Sequence, residues 1–263
     1  MIPKIIHYCW LSDDPIPQEL ENYMNSWKKL QEYEFILWDR NRFDINSIAW
    51  TKQAFVAKKY AFAADYIRLY AVYTNGGIYL DMDIEIIKSF DSLLDNNIIL
   101  AYENNNAKTI EAGCFGAEKE CVYIKECLDY FKDRSFYKSD GCSYDIIPLP
   151  QIMKRVLNKP KFKDISIFQD DYFTARGSHS GTVEITNNTF CIHHFAGSWL
   201  TISEKKWKIF RKACIKTHGY ITGSIIAFFY FFVISMFNGD KKQFLHHFRD
   251  AVNSLFYKIC RRV

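Results

Sequence analysis

Apolar and polar positions alternate in short blocks along the first two hundred residues, and the period of each block predicts its element. Lys4–Trp10, Glu34–Trp38, Ile78–Asp81, Ile84–Ile87, Ile98–Tyr102 and Gly113–Ala117 are short β-rich runs and predict strands. Gln18–Leu30 and Phe55–Thr74 have the length and periodicity of helices. The second ends at Asn75-Gly76-Gly77, where glycine tolerates the left-handed backbone of a helix stop. Strands alternating with helices predict an α/β domain with a largely parallel sheet. Further on, Val122–Phe131 and Leu149–Leu157 read as helices and Ile165–Phe168 and Phe190–His194 as strands. After Ser203 the pattern is helical throughout, and no internal repeat is visible.

Charge divides the chain at the same place. Residues 204–263 hold twelve Lys/Arg against three acids, a net of +9, so the overall +4 leaves −5 for residues 1–203. A mildly acidic body is joined to a basic tail, which calls for an anionic partner, membrane or nucleic acid. Within the tail, Ile221–Phe237 is an uncharged run of seventeen residues, poorly suited to tracking phosphates, so nucleic acid is set aside. That length is the lower limit for a span, which takes about 17–25 residues. With both flanks basic, the run predicts a helix lying in or dipping into a membrane face, its lysines and arginines on anionic lipid; a true span and a soluble helical subdomain or oligomer contact are the alternatives. The eight cysteines show no short paired spacing and read as small buried hydrophobes. The N-terminus enters a strand with no basic-then-apolar signal, and a reducing cytosol is expected.

Chemistry concentrates in Ala64-Asp65-Tyr66-Ile67-Arg68 and Asn75-Gly76-Gly77-Ile78-Tyr79-Leu80-Asp81-Met82-Asp83. Ile78-Tyr79-Leu80 suits a buried central strand and is followed at once by two carboxylates. If the extended backbone continues, Asp81 and Asp83 project to one side. Such a pair suits Mg²⁺ or Mn²⁺ bridging substrate phosphates; a solvated acidic turn is the plain alternative. Asp65 and Arg68 share a helix face, Arg68 offering a fork for phosphate or sugar oxygens and Asp65 an acceptor for hydroxyls; a surface ion pair is the plain alternative. His193 and His194 face opposite ways in a strand, so at most one reaches the pair as a nitrogen ligand. Trp10 follows the first strand, where an indole can stack on a base or fill the core.

Together, Ile2 to Trp10, the Asp65/Arg68 helix, Gly76-Gly77-Ile78-Tyr79-Leu80-Asp81-Met82-Asp83 and His194 to Trp199 resemble glycosyltransferase family 32. This DXD-containing group includes capsular polysaccharide transferases and is similar to the glucosyltransferase domains of clostridial toxins. The resemblance spans roughly residues 1–200. It implies a GT-A, Rossmann-like fold, a nucleotide-sugar donor such as a UDP-sugar, and Mn²⁺ or Mg²⁺; charge and pattern place that catalytic domain over residues 1–203 and an α-helical extension at 204–263. The resemblance also implies transfer with retention of configuration to a saccharide, in surface or capsular polysaccharide synthesis; the basic tail adds the cytoplasmic membrane face and, with it, a lipid-linked saccharide as acceptor. Carried over by position, Trp10 stacks on the base, Asp65 and Arg68 hold sugar and diphosphate, and Tyr79 belongs to the donor site. Asp81 touches ribose, sugar and metal, Asp83 binds the metal, and His194 is the third metal ligand. Gly197, Ser198 and Trp199 approach the leaving diphosphate. The match weakens between about Tyr102 and Asp171, where Glu103, Asn104, Asp140 and Asp145 are polar candidates for the acceptor side. Two rivals stand beside this reading. One is a haloacid dehalogenase-type phosphatase with Asp81 as nucleophile and Asp83 as acid/base, and the other a non-catalytic membrane scaffold of a polysaccharide assembly complex.

Overall fold

The computed structural model describes residues 1–141, 143–176, 182–197, 202–219 and 222–230. Its strands are β1 (Ile5–Cys9), β2 (Glu34–Trp38), β3 (Gly77–Leu80), β4 (Ile84–Ile86), β5 (Ile98–Ile99), β6 (Tyr102–Asn104), β7 (Thr109–Ile110), β8 (Cys114–Ala117) and β9 (Cys191–His193). Its α-helices are α1 (Gln18–Met24), α2 (Ala49–Val56), α3 (Tyr60–Asn75), α4 (Val122–Asp129), α5 (Leu149–Leu157), α6 (Asp170–Phe173) and α7 (Ile202–His218).

The helix expected over Phe55–Thr74 is two helices. Lys58 at φ 54° breaks the hydrogen-bond ladder between α2 and α3. The fold-back buries Trp50 completely, with its Nε1–H donating to the Phe62 carbonyl at 2.8 Å. The strand expected over Ile165–Phe168 is, among the described residues, a single parallel bridge between Phe168 and Ala101.

The main sheet has the order β2-β1-β3-β8-β5. β1 pairs in parallel with both β2 and β3, while β8 is antiparallel to β3 and β5, so only β8 runs against the others. Side chains alternate across it as strand geometry requires. Tyr79 and Phe115 join one core with α3, α4 and α5, whereas Ile78, Leu80 and Cys114 join a second with α1 and β4. β4 pairs with β9 and β6 with β7 in two small ladders.

His7 ties the sheet centre together. Its Nε2–H donates to the Gly76 carbonyl at 2.8 Å, and its Nδ1 accepts from Trp38 Nε1–H at 3.0 Å. Gly77 makes this close approach possible. Its φ is +100°, and a Cβ there would lie 2.6 Å from the Ile5 carbonyl oxygen.

The chain divides into two compact units, Met1–Gly177 with Thr182–Trp199, and Ser178–Gly181 with Leu200–Val263. In the second unit, residues 222–230 form a helix that meets α7 at Gly223, where a Cβ would lie 2.3 Å from the Cys214 carbonyl oxygen. Ala227 is buried, whereas Ile225, Ile226, Phe229 and Tyr230 are exposed. Among the described residues no helix is long and apolar enough to cross a membrane, and Ile221 and residues 231–237 of the expected membrane run lie outside them. The described cysteines Cys9, Cys114, Cys121, Cys127, Cys191 and Cys214 are free thiols.

Candidate active site

β3 ends at Leu80, and Asp81-Met82-Asp83 is a turn rather than further strand, closed by the Ile84 N–H on the Asp81 carbonyl at 3.0 Å. The two carboxylates converge through this turn and not through strand alternation. The Asp81 N–H donates to the Gly113 carbonyl at 2.7 Å, which fixes the turn against the start of β8.

On α3, Arg68 is buried against this turn. Its Nη1 donates to Asp81 Oδ2 at 3.2 Å and to the Ala112 carbonyl at 2.9 Å, and Nη2 lies 3.4 Å from Asp65 Oδ1. The guanidinium also sits 4.7 Å from the Tyr79 ring centroid. Arg68 is only 7% exposed, so the Asp65–Arg68 contact is a buried one and not a surface ion pair. Burial pushes the Asp65 carboxyl up to about 7 against the opposing charge of Arg68. Asp81 is also raised, by burial first and further by Asp83, with Arg68 opposing. Tyr79 is buried and donates its hydroxyl to Asp81 Oδ1 at 2.9 Å, so it reaches the site through that carboxylate.

His193, at the end of β9, completes the group. One ligand atom each from Asp81, Asp83 and His193 lies within 4.8 Å of the others. His193 Nε2 is 3.4 Å from Asp83 Oδ1, and Nδ1 is 3.0 Å from Glu111 Oε2. Glu111 is buried, and accepts further hydrogen bonds from the Gly113 N–H at 2.6 Å and the Thr174 hydroxyl at 2.9 Å. A carboxylate accepts only, so it holds the Nδ1 proton and turns Nε2 toward the aspartates. Burial disfavours the His193 charge, but Glu111 and Asp83 outweigh it and hold its pKa well above the ordinary imidazole value. Burial likewise opposes the Asp83 charge, yet His193 and the Ala196 N–H, which donates to Oδ2 at 2.7 Å, bring that carboxyl down to about 2.

His194, expected from the resemblance as the metal ligand, points elsewhere. Its Nε2 lies 2.8 Å from Glu85 Oε2, its Nδ1 is 2.8 Å from Arg176 Nη1, and its ring stacks on Tyr23 at 4.0 Å. The alternation at the end of β9 sends the two imidazoles to opposite sides, and it is His193 that faces the aspartates.

The donor set of two carboxylates and an imidazole with an anchored outer nitrogen fits Mn²⁺ or Mg²⁺. The ligand side chains come this close to the backbone only because residue 113 is glycine. A Cβ there would lie 2.8 Å from His193 Cε1 and 2.9 Å from Asp81 Oδ2. Trp10 stands after β1 at the same sheet edge, half-buried against the second core, its Nε1–H on the Asp14 carbonyl at 2.9 Å. Gly197 is buried at φ +65°, just beyond the Ala196 N–H that Asp83 accepts; Ser198 and Trp199 lie outside the described residues. Glu111 and Gly113 were missed from sequence. The available signal was a lone acid inside the apolar stretch Ile110-Glu111-Ala112-Gly113-Cys114-Phe115, which demands a buried partner.

Residues 17–100 match the family described as the glycosyltransferase sugar-binding region containing DXD motif. This stretch is similar to a glycosyltransferase sugar-binding region. It takes in Asp65, Arg68, Asp81 and Asp83 and leaves Glu111 and His193 outside. Inositol phosphoceramide mannosyltransferase 1 of Schizosaccharomyces pombe (strain 972 / ATCC 24843) is 32% identical over 101 residues, covering 35% of this chain and 31% of that protein. Inositol phosphoceramide mannosyltransferase 3 of the same organism is 33% identical over 98 residues, covering 35% and 27%. The chain thus matches these curated relatives over well under half of their length. Among solved structures, the PaToxG glycosyltransferase is similar with a TM-score of 0.44 and 18% identity, over 59% of this chain and 69% of that one. A glycosyltransferase involved in the glycosylation of the major capsid of PBCV-1 has a TM-score of 0.41 and 12% identity, over 78% and 98%. The resemblance read in the sequence holds for a DXD-containing glycosyltransferase region on an α/β fold.

Proposed function

We propose that the protein is a metal-dependent, retaining glycosyltransferase that moves a sugar from a nucleotide-sugar to a saccharide or lipid-linked saccharide. The observation that carries this is the convergence of Asp81, Asp83 and His193 beside Arg68 at the end of a central strand.

In this reading Asp83, ionised and held by the Ala196 N–H, and Asp81, oriented by Tyr79 and Arg68, hold the divalent cation with His193. The cation supplies Lewis-acid charge to the donor diphosphate. Arg68 presents a second fixed positive charge, already desolvated and already oriented by the Ala112 carbonyl, so it stabilises the departing diphosphate without reorganising. Asp65, whose carboxyl titrates at about 7, meets a sugar hydroxyl as donor or acceptor. Trp10 takes the base, and the segment through Gly197, Ser198 and Trp199 approaches the diphosphate. The departing phosphate oxygen takes the acceptor proton, so the scheme assigns no protein base.

The basic second unit attaches the enzyme to the cytoplasmic membrane face as a peripheral or monotopic element. Supporting this, Phe229 and Tyr230 are 59% and 52% exposed on the helix over 222–230. Membrane attachment suits a lipid-linked acceptor in surface polysaccharide synthesis. The names of the curated relatives support mannose as a sugar to try early and a lipid headgroup as an acceptor class.

The test is a panel of UDP- and GDP-sugars screened for manganese-dependent hydrolysis by the wild type and Asp83→Asn. Turnover by the wild type that is lost in the folded variant is expected. Undiminished turnover by Asp83→Asn would overturn the reading, as would release of inorganic phosphate in place of sugar and nucleotide.

A further inference from the structure

We infer that Glu103 is the residue that orients the incoming acceptor hydroxyl, and that the acceptor group entering beside it is uncharged; this rests on the transferase reading above.

Four polar residues of the weakly matching middle segment are candidates for such a role, and the structure separates them. Asn104 is committed to the Ala107 N–H at 2.9 Å, Asp140 to the Ser143 N–H at 2.8 Å, and Asp145 to Arg134. Glu103 makes no hydrogen bond or ion pair with any described residue, although it is part-buried and feels the charges of Glu111 and His193.

Its backbone explains how it is presented. Tyr102 pairs with Ile110 and Asn104 with Thr109, so Glu103 is the extra residue of a β-bulge in the β6–β7 ladder. A bulge re-aims one side chain out of the regular alternation, and such features recur beside active sites. This one is held rigidly. Asn105 donates its N–H to Asp170 Oδ2 at 3.0 Å and its side-chain amide to Oδ1 at 2.7 Å, while the Asp170 N–H returns to Asn105 Oδ1 at 3.0 Å. On the other side, the Glu111 N–H binds the Ala101 carbonyl at 2.9 Å, which links the hairpin directly to the residue that anchors His193.

An unpartnered, part-buried carboxyl on a clamped bulge costs stability, and burial with Glu111 nearby holds it up at about 7. A hydroxyl donating to it would supply the missing partner. A second negative charge beside it would be repelled by the ionised Glu103, which selects a neutral, hydroxyl-bearing group. In the transfer, the acceptor oxygen bonds to the anomeric carbon. The bond from that carbon to the diphosphate breaks with its electron pair leaving on the diphosphate, and the hydroxyl proton goes to the departing phosphate oxygen. Glu103 only holds the nucleophile in line. Water satisfies the same geometry, so it serves as the probe acceptor.

The experiment compares wild type, Glu103→Gln and Glu103→Ala for Mn²⁺ binding, thermal unfolding at pH 8, and the kcat and KM of hydrolysis of whichever nucleotide-sugar the wild type turns over. Expected are unchanged Mn²⁺ binding and donor KM, an unfolding temperature in Glu103→Gln equal to or above the wild type, and kcat reduced at least tenfold in both variants. Wild-type kcat in either folded variant overturns the Glu103 role alone. Loss of Mn²⁺ binding together with a lowered unfolding temperature overturns it in favour of a structural role. Absence of turnover of every donor by the wild type overturns the underlying transferase reading and the Glu103 role with it.

Discussion

Nδ1 of His193 lies 3.0 Å from Oε2 of Glu111, although 82 residues separate them in sequence. The contact joins β9 to the loop entering β8 and sets the direction of the nitrogen that faces Asp83. Glu111→Gln preserves shape and, with its amide oxygen at the Oε1 position, the hydrogen bond from the Gly113 N–H, while its NH2 must donate to the Thr174 hydroxyl oxygen; His193 is left free to adopt either tautomer. Mn²⁺ affinity, measured by isothermal titration, is expected to fall by about 10–100-fold with the fold intact, the range typical of outer-shell carboxylates. An unchanged affinity would show that Glu111 does not orient the ligand.

Exchanging the two histidines separates their roles. His193→Ala removes a ligand and is expected to abolish measurable Mn²⁺ binding. His194→Ala instead loses the contacts to Glu85 and Arg176 and the stack on Tyr23. It should keep Mn²⁺ binding within about threefold while lowering stability by about 1–2 kcal/mol in urea unfolding. The opposite pattern would return His194 to the metal site.

Why sequence reasoning found the aspartates but not this pairing follows from the range of each signal. Asp81 and Asp83 announce themselves locally, because the buried run Ile78-Tyr79-Leu80 ends in charge at a place where a sheet presents ligands. Their convergence came from a turn that no two-residue period encodes. The choice between His193 and His194 depends on the register of β9 against β4, in which Ile84 faces His193, and register is set by packing. Glu111 carries no motif; its role exists only once β7, β8 and β9 are assembled. The break between α2 and α3 was hidden because Lys58 is an unremarkable residue for a helix, and tertiary packing of Trp50 decided the matter. The clamp formed by Asn105 and Asp170 spans 65 residues and is equally invisible locally.

The helix over 222–230 exposes Ile226 and Phe229 at 38% and 59%. Burying such side chains in lipid is worth about 1.5–3 kcal/mol each. The double change Ile226→Ser with Phe229→Ser is expected to weaken binding of the intact protein to vesicles containing phosphatidylglycerol at least about tenfold, measured by co-sedimentation. Raising salt to 0.5 M should weaken the wild type further, since screening acts on the lysine and arginine contacts. Equal binding of the variant and wild type would remove this helix from the attachment surface.

His7 supplies a pH test away from the site. Burial, aided weakly by Arg42, lowers its pKa to about 4 against the opposing effect of the Gly76 hydrogen bond. Both ring nitrogens are committed in the neutral form, since Trp38 Nε1–H points at the Nδ1 lone pair and a proton there would face another donor. The sign is fixed by linkage. Between pH 6.5 and 4 the unfolded chain binds a proton that the folded chain refuses, so this contribution is complete above 6.5 and is lost as pH falls toward 4. From the ordinary imidazole value the loss amounts to about 3 kcal/mol. Urea unfolding of the wild type across this window should therefore show stability falling with acid. His7→Gln cannot titrate and should be less stable at pH 7 but flatter by about that amount. Parallel pH curves for the two proteins would mean that His7 is protonated in the fold and that the lock between β1, β2 and β3 is drawn with the wrong proton.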